Sequence, residues 1–309
     1  MKVLVAGGTG FIGSHLCTEL VERDHEVTSL SRNPTSEDAA NLPDDVTLAS
    51  GDVSDYGTIA DTVDGHDAVV NFVSLSPLYQ LPSGTDHETV HLGGTENLIR
   101  AAEDGDIERF VQISALGADP DGPTPYIRAK GRAEEIVREA ALGWTIVRPS
   151  IVFGDGAEFL EFTKQLTTPY VTGLPGGGET RFQPIWVGDF APILADVLED
   201  DSHVGQTYEI GGPQIVTLAD ATELIYEAEG RPVAIFPIPM ALTKLGLAVA
   251  DPLPLIPFGT EQGESLEFDN TVATNDVTTF GINPEVLLTL GAYLGIRSGT
   301  PREESRPLA

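Results

Sequence analysis

Cysteine is nearly absent from this chain. Cys17 stands alone among 309 residues, so no intrachain disulfide can form, and the expectation is a cytoplasmic protein in a reducing compartment. Lysine is almost as scarce, occurring at Lys2, Lys130, Lys164 and Lys244, and Lys and Arg together number 17 against 48 acids, a net charge of -31. With no visible basic patch, direct nucleic-acid binding is excluded as an expectation, because phosphate backbones are held by clustered cations. No stretch of about 18 uninterrupted apolar residues occurs, so no transmembrane helix is expected. The N-terminus reads as a strand and not as a signal peptide. Internal repeats and low-complexity tracts are missing, and no metal site is expected.

What is present begins with the acids, which are spread along the chain and not gathered in a tail. A dispersed acidic surface with little lysine looks like the proteins of salt-loving archaea, where concentrated salt screens the self-repulsion. Apolar residues make up 41%, enough for a sizeable core in one large or two small domains. Cys17 falls in the first expected helix and reads as a small core residue.

The N-terminal run MKVLVAGGTGFIG organises the rest. Lys2 to Ala6 form a short apolar strand, and Gly7, Gly10 and Gly13 space the turn that follows. A helix then places Phe11, Ile12, Leu16 and Leu20 on its apolar side. This strand–turn–helix is the context in which a glycine motif binds a dinucleotide. Gly7 permits the sharp turn, Gly10 admits a pyrophosphate to the backbone, and Gly13 lets the helix pack closely. The phosphates would then lie at the helix N-terminus.

Further strands are expected at His25–Arg32, Val46–Asp55, Asp67–Ser76, Arg109–Gly117, Trp144–Gly154 and Thr207–Gly212. Helices are expected at Thr58–Val63, Thr89–Glu103, Ala129–Ala141, Phe190–Glu199 (capped by Asp189), Thr217–Glu229 (capped by Thr217) and Met240–Val249, and residues 33–45 read as polar connection. Strands and helices alternating at this spacing mean an α/β fold, a Rossmann-type doubly wound parallel sheet with a smaller C-terminal substrate lobe. The expected division is a nucleotide-binding domain at 1–153, with 184–211 returning to it, and a lobe made of 154–183 and 212–309. The last residues, Thr300–Ala309, are polar and read as frayed. The carboxyl ends of parallel strands form the ligand crevice. Asp52, Ser74, Ser114 and Ser150 all fall at such ends.

Two features carry chemistry. Tyr126 and Lys130 are four residues apart, so on a helix they share one face, and a nearby ammonium favours the phenolate and lowers the tyrosine pKa. Ser114 is placed to hold a substrate oxygen beside them. At the end of the second strand Arg32 stands where an acid often takes the ribose hydroxyl of NAD, and its planar fork suits a 2′-phosphate, which favours NADP over NAD.

GGTGFIG, the Asp52–Val53 step, Ser114, the Tyr126/Lys130 pair and Arg148–Ser150 together resemble the extended short-chain dehydrogenase/reductase superfamily. ISALGAD (Ile113–Asp119), the RPSIVFG run, FQPIWVGDFA (Phe182–Ala191) and LEFDN (Leu266–Asn270) look like its atypical subgroup around the nucleotide-binding accessory subunit of respiratory complex I. The resemblance implies that Gly7, Gly10, Phe11, Ile12 and Gly13 contact the pyrophosphate, Arg32 faces the 2′-phosphate, and Asp52 and Val53 face the adenine. It further implies that Val73 and Ser74 line the adenosine ribose, that Tyr126 and Lys130 form the catalytic pair, and that Pro149 and Ser150 lie near the nicotinamide. Two departures stand out. Ala115 follows Ser114 where a second hydroxyl residue is frequent, and Arg128 puts a charge inside the Tyr–Lys spacing.

The implied function is an NADP-dependent oxidoreductase acting on a carbonyl or carbinol. The alternatives are a non-catalytic accessory or assembly protein of a complex I-like assembly, or a nucleotide-sugar epimerase holding NAD. The apolar, proline-studded stretch Val233–Gly259 has three readings: a helix packed over the cleft, a pocket for an apolar substrate such as a quinone or isoprenoid, or a surface docked on a membrane or respiratory partner.

Overall fold

A computed structural model describes residues 1–81, 84–250 and 259–296. Six strands follow in order, β1 (Lys2–Ala6), β2 (Glu26–Ser31), β3 (Thr47–Ser50), β4 (Ala68–Asn71), β5 (Arg109–Ile113) and β6 (Gly143–Pro149). A late strand, Gln206–Ile210, completes a seven-stranded sheet in the order late strand–β6–β5–β4–β1–β2–β3. Every pairing is parallel. The connecting helices are α1 (Phe11–Glu22), α2 (Ser36–Ala40), α3 (Tyr56–Val63), α4 (Gly94–Asp104) and α5 (Pro125–Glu139).

The apolar runs of the strands are continuous because both faces of the sheet are covered. Val3 and Val5 of β1 point to one side, where Leu16, Cys17 and Leu20 of α1 meet Phe190, Ile193, Leu194 and Val197 of the helix Val187–Glu199. Leu4 and Ala6 point to the other, against Ile59 and Val63 of α3, Leu98 and Ala102 of α4, and Val137 of α5. The strand order reverses between β1 and β4, which opens the crevice at their carboxyl ends.

A smaller core gathers Phe153, Phe159, Leu174, Phe182, Leu218, Ala221 and Leu290. Around it lie the helices Glu158–Leu166 and Leu218–Ala228, and a parallel pair of strands, Tyr170–Pro175 with Val233–Ile238. Thr217 caps the second helix in a reciprocal capping box with Asp220.

The elements differ from the sequence reading at several points. β4 stops at Asn71 and not Ser76, because the Asn71 side chain binds Thr95 and Gln112 and takes the Val73 N–H. The polar connection contains α2, closed by a Thr35/Asp38 capping box. The helix expected from Thr89 begins as a π-helical turn, Glu88–Gly93, before α4. Asp189 lies inside the Val187–Glu199 helix and accepts the Leu288 N–H, so it does not cap that helix. Within Val233–Gly259 the chain forms the strand Val233–Ile238 and a helix, Met240–Ala250, with Phe236 and Leu242 exposed. The rest of that stretch, 251–258, and the Thr300–Ala309 tail lie outside the described residues.

Candidate active site

The glycine turn is built by close backbone approach. Gly7 has φ +82°, donates its N–H to Leu30 O at 2.8 Å, and accepts the Gly10 N–H at 3.0 Å. A Cβ on Gly13 would lie 2.3 Å from Gly7 O, so α1 can start this close to the sheet only with glycine there. Gly10 precedes α1 as its N-cap and supplies no side-chain acceptor, and the first turn holds no acid. The leading N–H groups and the positive end of the dipole therefore face the crevice without a local anion, which fits a dinucleotide pyrophosphate.

From this turn a cleft of about 550 Å³ runs across the carboxyl edge of the sheet. Gly7, Gly10, Phe11, Ile12, Gly13, Ser74, Ser114, Tyr126, Lys130, Pro149 and Ser150 all line it. Four predicted residues lie elsewhere. Arg32 is exposed at the end of β2, close enough to Asp52 to help hold that carboxyl below the usual range, although burial opposes this and the bonds from Ser54 do more. Val53 is buried in the core beneath α4, its carbonyl taken by Asn97. Val73 packs against the same core.

Tyr126 and Lys130 reach the cleft because α5 begins earlier than expected. Thr124 caps it by accepting the Ile127 N–H, and Pro125 occupies its first turn, so both residues sit on regular helix. Their electrostatics differ from expectation. Lys130 is 3% exposed and donates to Ile113 O at 3.0 Å, with its ammonium 5.9 Å from the Tyr126 ring centre. Burial lowers its pKa to about 8 against the opposing charge of Glu134. Burial also raises Tyr126 to about 12, with Glu158 adding to the rise and a hydrogen bond from Ser74 opposing it. The phenol is thus neutral at neutral pH, not tuned downward by the lysine.

The hydroxyls are distributed unexpectedly too. Ser114 Oγ is buried without a hydrogen-bond partner among the described residues, and the Ser74 hydroxyl donates to Leu75 O at 3.4 Å. Ser150 donates to Asn270 and accepts the Gln183 N–H at 3.1 Å, tying the end of β6 to two later segments. Arg128 turns away from the phenol to brace the Gly122 and Pro123 carbonyls. Arg148 is held by the buried Glu134 at 2.6 and 2.8 Å.

Sequence reasoning missed His87 and His91. His91 lies on the π-helical turn and His87 immediately precedes it; both are buried and pack against the Tyr126 ring, with centroids 5.3 and 5.5 Å away respectively. The missed Asn270 stands in the LEFDN run, where its bond to Ser150 gives that segment a structural reason.

A family described as NAD(P)H-binding matches residues 7–173. Subunit 9 of the mitochondrial NADH dehydrogenase (ubiquinone) 1 alpha subcomplex of Arabidopsis thaliana is 30% identical over 288 residues, 88% of this chain and 71% of that protein. The NAD(P)H azoreductase of Xenophilus azovorans is 27% identical over 250 residues, covering 79% and 82%. Among solved structures, the UDP-glucose 4-epimerase of Thermus thermophilus in complex with NAD superposes with a TM-score of 0.70 at 22% identity, covering 95% of this chain and 97% of that one. This last likeness is one of fold.

Proposed function

Because this chain belongs to the NAD(P)H-binding family of extended short-chain dehydrogenase/reductase-like proteins, we propose that it is an NADP-dependent oxidoreductase that reduces a carbonyl group. The observation that carries this reading is the presence of the glycine turn, Tyr126 and Lys130 on one cleft. The nicotinamide of a bound NADP supplies the hydride. Gly7, Gly10 and the start of α1 hold the pyrophosphate, and Arg32, exposed at the end of β2, meets the 2′-phosphate. Pro149 and Ser150 border the nicotinamide end.

Tyr126 gives the proton. A phenol held neutral up to about pH 12 is an acid at neutral pH, which suits protonation of a carbonyl oxygen better than abstraction from a carbinol. Lys130 holds the ribose and faces the phenol. Phe72, Leu78, Leu116, Phe159, Phe182 and Phe268 line the remaining wall, which supports an apolar substrate such as a quinone- or isoprenoid-like carbonyl compound.

The test is NADPH oxidation against a panel of such carbonyls. Tyr126→Phe lowers turnover by about 10²- to 10⁴-fold and leaves the nucleotide dissociation constant unchanged. Retained turnover removes Tyr126 from the chemistry. The nucleotide that copurifies separates the neighbouring reading, since tightly held NAD points to epimerase chemistry and exchangeable NADPH to a reductase.

A second reading is favoured by the NADH dehydrogenase subunit, which aligns with 88% of this chain. In it the protein is a nucleotide-binding accessory of a respiratory assembly, peripheral to a membrane, without turnover. Recovery of other NADH dehydrogenase subunits in a pull-down from respiratory membranes supports it.

A further inference from the structure

A side chain at the substrate end of the cleft uses only half of its hydrogen-bonding capacity. Asn270 lines the cleft beside Ser150. Its backbone is fixed on both sides: its N–H donates to Arg181 O at 2.8 Å, and its carbonyl accepts the Gln183 N–H at 3.2 Å. Asp269, one residue earlier, accepts the Arg181 guanidinium at 2.6 and 2.9 Å and the Arg181 backbone N–H at 2.9 Å. The side chain is fixed too. The buried Ser150 hydroxyl stands 2.7 Å from both Asn270 O and Asn270 Oδ1, and its oxygen already accepts the Gln183 N–H. The bonding network therefore turns the amide oxygen toward Ser150. The Nδ2 group, with its two N–H donors, has no bond among the described residues and is not one of their buried unpaired atoms, so it is open to the cleft. Lys130 is the one cation lining that cleft among the described residues, and its ammonium is bonded to Ile113 O. A phosphate on the substrate would find no counterion there.

We propose that Asn270 determines specificity by donating from Nδ2 to a neutral oxygen of the substrate, distinct from the carbonyl oxygen that Tyr126 protonates. The substrate class is then an uncharged apolar carbonyl compound that bears a second carbonyl-type oxygen. This rests on the oxidoreductase reading for the role of Tyr126 and adds the second anchor. An amide donor suits a neutral acceptor, and Ser150 is the positioning residue that aims it. Phe159, Phe182 and Phe268 line the same wall. In such surroundings an N–H left unmet is costly, so a molecule that lacks the second oxygen is rejected. The anchor is also rigid before the ligand arrives, because the Asn270 backbone and its amide oxygen are both already bonded.

The test measures binding and so does not depend on turnover. para-Diacetylbenzene and para-ethylacetophenone differ only in the second carbonyl, and the corresponding meta compounds repeat the comparison at a shorter span. Dissociation constants are measured by NMR for the full chain loaded with NADP. One diketone should bind about tenfold tighter than its monoketone partner. Asn270→Leu should remove that preference and leave the monoketone and NADP affinities unchanged. Asn270→Asp keeps an acceptor for the Ser150 hydroxyl, so its Tm should stay near that of the unsubstituted protein, while its diketone affinity falls at least as far as in Asn270→Leu. Three results overturn the proposal: no preference in either pair, diketone affinity retained in Asn270→Asp, or a loss in Asn270→Leu that falls equally on both ketones or on NADP. Absence of NADPH oxidation, with the preference and its loss both intact, removes the oxidoreductase reading and leaves Asn270 as a ligand-binding residue.

Discussion

Two glycines three residues apart should fail in different ways when each is given a methyl group. At Gly13 the added carbon would lie 2.3 Å from Gly7 O, 2.9 Å from Gly8 Cα and 3.0 Å from Gly7 C. All three atoms are backbone of the turn, so relief requires α1 to back away from the sheet. Overpacking of this kind costs about 1–3 kcal/mol, and the apparent Tm of Gly13→Ala should fall by several degrees. At Gly10 the backbone is extended (φ -77°, ψ 170°) and the only neighbour within 4 Å of the added carbon is Gly7 O at 3.1 Å. The residue is exposed and faces the cleft. Ala there loses a small N-cap preference and gains rigidity, so folding changes by less than about 1 kcal/mol. The methyl instead occupies the approach to the α1 N–H groups. Loss of even one charge-assisted bond, at about 1.5–3 kcal/mol, lowers nucleotide affinity about tenfold or more. Thermal unfolding and NADPH fluorescence titration in the same concentrated salt buffer separate the two effects. Unchanged affinity in Gly10→Ala would refute a pyrophosphate seated over this turn, and an unshifted Tm in Gly13→Ala would refute the packing argument.

Lys130 should make stability depend on pH. Its folded pKa of about 8 lies below the usual 10.5, so the folded state holds fewer protons between those values and wild-type stability rises with pH relative to Lys130→Met, by about 3 kcal/mol across the window. A pH-independent difference in chemical denaturation would contradict the burial argument. Glu134→Gln removes the buried carboxylate shared by Arg148 and Arg138 and should destabilise by about 1–2 kcal/mol, since charge-assisted bonds are lost while the partly exposed arginines stay hydrated, read as a lowered denaturation midpoint. Cys17 is fully buried and its thiol is pushed up to about 12, so a thiol reagent should label it only as fast as the protein unfolds. Rapid labelling of native protein would show that α1 opens locally.

Much of the frame is legible in the sequence because it depends on local pattern. The glycine turn announces itself by spacing, and the apolar strand runs announce burial on both faces. Element ends are less legible. The Asp67–Ser76 run gives no sign that the Asn71 side chain will turn the chain by binding Thr95 and Gln112, residues distant in sequence. Thr124–Pro125 does carry a helix-start signature, a cap followed by proline at the first turn, and it places Tyr126 on α5. The electrostatics of the pair are not legible. Four-residue spacing puts a phenol and an ammonium on one face, but the Ile113 carbonyl that draws Lys130 away and the burial that keeps Tyr126 protonated come from β5 and the π turn. His91 has no local signal, because its value lies in reaching Leu75 across a loop.

The late strand has a bearing on how the chain is made. β6 ends at Pro149, yet the strand that pairs with it starts at Gln206, and the helix that covers α1 spans Val187–Glu199. Arg23, at the end of α1, reaches Asp196 and Glu199 on that helix. As the polypeptide leaves the ribosome, the nucleotide-binding half waits with one sheet edge and one flank of α1 uncovered until the Gln206–Ile210 segment has emerged. The smaller core draws on residues from both sides of that strand, Phe153 to Leu290, and closure of the sheet is a long-range event that sets a slow step for synthesis-coupled folding. The halves are laced together by the order of translation, and neither is a module that can be lifted from the other at a single cut.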